Sequence, residues 1–252
     1  MDKVNAPAGQ VSFLGFDFEP METGAAVARL AAEASAAAPF AYVVTPNADH
    51  RVRLEREPEL WPLYRSAGLV LNDSRILARL AKFDGLDLPA SPGADVVTGL
   101  FDTVIRADEP VVIIGGVDGD IAALRMRYGL TDIRWHQPPN PLRTNPQAIA
   151  AAAAFIAANP ARFHFLCVGS PQQEMVASAA LGQDGAAGIG LCCGASLEFL
   201  SGRVARAPEW MRAAGLEWLF RLGSQPRRLA KRYLIEGPAI FRIWQAARRT
   251  KA

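Results

Sequence analysis

Short apolar runs of strand length alternate along this chain with longer segments whose apolar residues recur at helical spacing. The runs stand at residues 40–45 (FAYVVT), 68–73 (GLVLND), 110–116 (PVVIIGG), 132–136, 163–170 and 186–194. Helical spacing covers residues 22–38, 49–57, 74–83, 94–107, 118–128 and 145–158. A short apolar piece, residues 11–18, precedes them. The unit is plainest at residues 163–174, FHFLCVGSPQQE: a buried strand, a tight exit at Gly169-Ser170, and Pro171 suited to a first helical turn. A helix start of this kind presents free N–H groups that favour an anion.

Strands alternating with helices predict an α/β fold, a largely parallel sheet flanked by helices, with ligands at the carboxyl ends of the strands. That rule nominates the loops at 45–47, 72–75, 115–119, 169–174 and 194–196. The pattern changes at Arg203, after which strand-like runs cease. Helical segments are expected at 207–214, 216–222, 226–234 and 238–249, mixing basic residues with Trp210, Trp218, Phe220, Tyr233, Phe241 and Trp244. Such faces suit either an interface with lipid or packing against the body. The expected division is a catalytic core, 1–202, and a helical appendage, 203–252.

Charge sharpens this division. Residues 201–252 hold twelve Lys or Arg against three acids, whereas residues 1–200 hold 15 basic and 22 acidic residues. A basic tail on an acidic body can face nucleic acid, an anionic membrane surface or a polyphosphate ligand. The longest apolar run, residues 148–158, has 11 residues, and crossing a bilayer takes roughly 20. The N-terminus lacks the basic start and apolar core of an export signal, so a cytoplasmic protein is expected. Cys167, Cys192 and Cys193 lie in apolar runs without metal-ligand spacing, and the three histidines are scattered. No metal site is expected.

Among polar residues, Asp73 is singled out because it ends an apolar strand at the functional end of the sheet. Partial desolvation there suits a carboxylate to general-base work, although Asp is equally suited to cap the helix that follows. Thr45 and Asn47 carry the same ambiguity, as helix caps or as the lining of a sugar pocket. Gln173 and Glu174 fall in the first turn of their helix. Neither the glycines after residue 114 nor Gly188, Gly190 and Gly194 form GxGxxG, and Walker A, GxSxG and HExxH motifs are missing from the sequence.

Taken together, VVTPNADH, a strand ending in Asp73, SPGADVV, VIIGG, VGSPQQE and GRVARAPEWMRAAGLEWLFRLGSQPRRLAKRYL resemble the WecG/TagA/CpsF family of bacterial glycosyltransferases, from about Thr45 to about Leu234. The resemblance implies a Rossmann-like core and inverting transfer from a UDP-sugar to a polyprenyl-diphosphate-linked saccharide in cell-surface polysaccharide synthesis. It implies no obligate metal or other cofactor, and a location on the inner face of the cell membrane. Asp73 matches the expected base. Thr45, Asn47, Asp95, Gly115, Gly116, Gln173 and Glu174 are the expected substrate-binding residues, with Arg221, Arg227, Arg228 and Arg232 from the appendage. The expected partners are the UDP-sugar, the lipid-linked acceptor and an anionic membrane surface, with no nucleic acid; a homo-oligomer is left open. Three departures from the family pattern stand out: Ser74 where Gly is usual, Gln172 where Lys or Arg is usual, and Pro92 where Thr is usual. The alternative is a catalytically inactive regulatory protein that binds sugar nucleotides.

Overall fold

The computed structural model describes residues 9–249, the side chains of Ala213, Arg228 and Arg232 excepted. A hairpin of β1 (Val11–Phe13) and β2 (Phe16–Phe18) opens the chain, and α1 (Thr23–Glu33) follows. Next come β3 (Ala41–Val44), α2 (Ala48–Arg56), a 3-10 turn (Pro58–Leu60), α3 (Trp61–Arg65), β4 (Leu69–Val70) and α4 (Arg75–Phe83). The second half of the core runs α5 (Gly93–Thr103), β5 (Val111–Gly115), α6 (Asp118–Tyr128), β6 (Ile133–His136), α7 (Pro146–Ala158), β7 (Phe163–Cys167), α8 (Gln172–Ala180), β8 (Ile189–Cys192) and α9 (Ser196–Leu200). The remainder is helical: α10 (Glu209–Ala213), α11 (Glu217–Ser224), α12 (Pro226–Ala230), a π-helical turn (Lys231–Glu236) and α13 (Ala239–Arg249).

Six strands form one parallel sheet in the order β4-β3-β8-β7-β5-β6. Because successive side chains point to opposite faces, each strand feeds two cores. Tyr42, Val44, Val112, Ile114 and Leu166 face one core, and Val43, Val111, Ile113, Phe163 and Phe165 the other. The predicted α/β architecture is therefore present. The strand expected over 68–73 shortens to two residues, since it lies at the sheet edge with one neighbour. Its pairing still continues, as Leu71 N–H donates to Val44 O (3.0 Å) and Asp73 N–H to Pro46 O (3.1 Å). That extension carries Asp73 to the loop after β3. Helix α1 ends at Glu33, short of the expected 38, because the chain must turn through Ser35 to enter β3.

Two ion-pair clusters tie the C-terminal helices to the core. Asp120, fully buried, accepts from Nε and Nη2 of Arg203 (2.9 Å each), the Ser201 hydroxyl (2.6 Å) and Val117 N–H (3.2 Å). Burial pushes its carboxyl up, but the Arg203 and Ser201 hydrogen bonds outweigh it and hold the group below the usual carboxylate range. The pair's stability is thus present at neutral pH and lost as pH falls through that lowered pKa. Arg203→Ala is expected to lower the unfolding free energy by about 3 kcal/mol in urea titrations at neutral pH, because a buried carboxylate loses its cation. The second cluster, at Asp95, belongs to the site.

Beyond these clusters the tail also packs. Leu229 and Ile240 are buried, and Ile240 joins the core with Ile243 and Trp244 against it. Trp244 Nε1 donates to Asp84 (2.9 Å). Among the aromatic residues, Trp244 packs against the body, whereas Trp210 and Phe241 are exposed.

Candidate active site

At the carboxyl ends of β3, β4, β7 and β8 lies a cavity of about 660 Å³, roofed by the C-terminal helices. Asp73 lies half-buried in its wall. The capping role is taken by its neighbour: Ser74 Oγ accepts from Leu77 N–H (3.1 Å) and serves as N-cap of α4. Asp73 is thereby released. Its Oδ1 accepts from Gly93 N–H (3.1 Å) at the first turn of α5, and its Oδ2 from Asn47 Nδ2 (3.3 Å). Burial pushes the Asp73 carboxyl up to about 7; the charge of Glu217 adds to the rise, while Asn47, Gly93 N–H and Arg221 oppose it.

Asn47 takes the capping role foreseen for it and also lines the cavity. Its Oδ1 caps α2 through Asp49 N–H (3.1 Å) and His50 N–H (3.4 Å), which fixes the side chain so that the amide points at Asp73. His50 completes the box, its Nδ1 accepting from Asn47 N–H (3.0 Å). Thr45 supports the same corner from below. A Cβ on Gly93 would stand 2.7 Å from Thr45 Oγ1, so only glycine lets the start of α5 approach close enough to reach Asp73.

Gln173 lines the cavity as well, nearly fully buried. Its Oε1 accepts from Gly194 N–H (2.8 Å), tying α8 to the loop after β8, and its Nε2 donates to Glu174 Oε1 (2.9 Å). Glu174 sits behind it, buried, with its carboxyl pushed up by that burial. The QE pair thus splits: Gln173 faces the cavity and Glu174 orients it.

Of the appendage arginines, Arg221 lines the cavity, with its guanidinium 5.7 Å from the ring centroid of Phe199. Arg227 is exposed and does not line it. The side chains expected at Arg228 and Arg232 lie outside the described residues. Asp95 turns to the C-terminal segment, its Oδ1 meeting Arg206 Nη1 (2.7 Å) and Arg212 Nη1 (3.1 Å). Gly115 and Gly116 lie away from the cavity lining. Both have positive φ, and a Cβ would reach within 2.8 Å of Val168 and 2.5 Å of Leu197 respectively, so Gly115 serves close packing against the end of β7 and Gly116 packing beneath α9.

Residues 11–252 match the model of the Glycosyl transferase WecG/TagA/CpsF family. The chain belongs to that family. A WecG/TagA/CpsF glycosyltransferase brings together a sugar donor and an acceptor, and the departures from the family pattern can be placed against the cavity. Ser74 and Pro92 line it, whereas Gln172 does not. Ser74 uses its hydroxyl as a cap, and Pro92 is the N-cap residue of α5, next to the Gly93 amide that holds Asp73.

Sequence reasoning did not single out several residues that line this cavity: Arg53, Phe199 and Glu217, together with Arg206 and Arg212, which it counted only as charge; Ser170 falls in the nominated loop 169–174. Arg53 carried a usable signal, since it stands four residues after Asp49 on a helix that opens at the functional end of the sheet. The others needed the tertiary fold, because nothing in their spacing says that α9 and α11 roof the same cavity.

Proposed function

We propose that the protein transfers a sugar from a UDP-sugar, with inversion, to a saccharide carried on a polyprenyl diphosphate, as a step in cell-surface polysaccharide synthesis. The observation that carries this reading is Asp73: a carboxylate in the wall of the cavity, with its pKa pushed up to about 7 and the cap of α4 left to Ser74. A base near neutrality takes the proton of an acceptor hydroxyl as that oxygen attacks the anomeric carbon, while UDP leaves from the opposite face. Charge growing on the departing diphosphate falls to arginines in the roof, Arg221 and the Arg206–Arg212 pair. Gln173, held by Glu174 and Gly194, offers its remaining amide N–H to a sugar hydroxyl.

The division into a core of residues 1–202 and an appendage of 203–252 belongs to this reading, as does a peripheral place on the inner face of the cell membrane. Among the described residues no helix is long and apolar enough to cross a membrane. Exposed Trp210, Leu219, Leu234, Ile235 and Phe241 stand among the appendage's basic residues, a combination that suits insertion at an anionic surface. UDP release from a panel of UDP-sugars, with a short-chain prenyl-diphosphate-linked sugar as acceptor, tests the reading. One UDP-sugar should give acceptor-dependent release; binding of UDP without transfer to any such acceptor would count for a regulatory protein instead.

A further inference from the structure

Among the cations that line the cavity, those on the α5 side and the one on the α2 side differ in what surrounds them. On the α5 side, Arg206 and Arg212 converge on Asp95, and Arg206 and Arg221 each approach the Phe199 ring. On the α2 side stands Arg53, mostly buried, with Nη1 donating to Ser170 Oγ (2.8 Å) and Nη2 meeting Asp49 (3.1 Å). Ser170 also meets the Tyr64 hydroxyl (3.3 Å), so the loop before α8 is tied to both α2 and α3 at this point.

The α2 side leads to an apolar rim. The turn from Leu234 to Pro238 is pinned over α2 by an ion pair of Glu236 with Arg56 (3.2 Å), one helical step from Arg53. Leu234, Pro238 and Phe241 line the cavity there, and Leu234, Ile235 and Phe241 are 58%, 73% and 47% exposed. A guanidinium at the inner end and an exposed apolar ramp at the outer end complement an amphiphile with an anionic head and a hydrocarbon tail.

We propose that Arg53, with Ser170, seats the diphosphate of the lipid-linked acceptor, and that its prenyl chain leaves over Leu234, Ile235 and Phe241. The inference rests on the lipid-acceptor reading above and adds a direction to it. The acceptor enters past α2 and α13, the UDP moiety lies toward Phe199 and Arg206, and Asp73 stands where the two meet. Asp49 holds the guanidinium in place in the free protein, and a phosphate then shares it, since the guanidinium carries five donors. Arg53 contributes binding and leaves the proton transfer to Asp73.

Calorimetric binding tests this without turnover, using a short prenyl diphosphate, inorganic diphosphate and UDP as probes on the full chain. The unaltered protein should bind the prenyl diphosphate more tightly than inorganic diphosphate, and UDP should not displace it. Arg53→Ala should weaken prenyl diphosphate binding by about tenfold or more, with Arg53→Lys intermediate, and leave UDP binding within about twofold. Phe241→Ser should narrow the preference for the prenyl over the inorganic probe. Should Arg53→Ala fold poorly, Arg53→Lys and Phe241→Ser carry the test. Equal loss of UDP binding, displacement by UDP, or unaltered prenyl diphosphate binding in these variants would overturn the assignment. In parallel assays, sugar transfer to soluble acceptors alone would defeat the lipid-acceptor reading, while the binding result still judges Arg53.

Discussion

Asp73→Asn is expected to lower kcat by roughly 10²–10⁴-fold, the contribution typical of a positioned general base, without loss of the fold. The amide keeps the size of the carboxylate, and its oxygen can still accept from Gly93 N–H. What it loses is proton affinity. Its nitrogen also faces the Asn47 amide, which Asp49 and His50 hold in one orientation. Full activity in this variant would remove Asp73 from the mechanism.

The pH dependence follows from the same group. With its pKa at about 7, Asp73 is the ionised base only above neutrality, so kcat/KM should rise with pH and level off past that point. Glu217→Gln should move this limb to lower pH, since the Glu217 charge helps hold the Asp73 pKa up. Stability runs the other way. Between the ordinary carboxylate value and about 7, the unfolded chain has released the proton and the folded chain has kept it. Asp73 therefore costs stability as pH rises, by at most about 1.4 kcal/mol per pH unit. The contribution is full below the ordinary value and gone above the raised one. Urea midpoints for Asp73→Asn should lack this fall between pH 5 and pH 8, and a parallel pH dependence in both proteins would contradict a raised Asp73 pKa.

Much of this site was legible in the sequence because its parts end strands. Periodicity placed β3, β4, β7 and β8, and the rule that ligands sit at the carboxyl ends of parallel strands then gathered Thr45, Asn47, Asp73 and Gln173 without knowledge of the strand order. The capping ambiguity at Asp73 was not resolvable that way. It turned on whether Asp73 or Ser74 supplied the first cap, and both are good caps. Asp95 and Glu174 were expected as substrate contacts from the family resemblance; the fold turns Asp95 to Arg206 and Arg212 and buries Glu174 behind Gln173. Gly115 and Gly116 follow a strand as phosphate-binding glycines do, yet their freedom is used for close packing, Gly115 against Cys167 and Val168 and Gly116 beneath α9. Such outcomes depend on which surface an element turns inward, information held in contacts distant along the chain.

Removing residues 203–252 is expected to abolish transfer, by more than about 10³-fold, for two separable reasons. The cavity would lose Arg206, Arg212, Glu217 and Arg221, and with them the roof that helps keep water from Asp73. The core would also lose Leu229 and Ile240, each buried side chain worth roughly 1.5–3 kcal/mol. A truncated chain that unfolds easily would therefore say little about chemistry. Asp95→Ala separates the two causes. It leaves the Ile240 contacts in place and removes the carboxylate shared by Arg206 and Arg212, so the roof loosens while the body stays folded. Thermal unfolding should shift by no more than about 2–4 °C. kcat/KM should fall by about tenfold or more as the arginines lose their aim at the leaving group, and protease cleavage within residues 203–217 should quicken. Unchanged kcat/KM with quickened cleavage would separate roof closure from catalysis and leave Arg221 to meet the leaving charge alone.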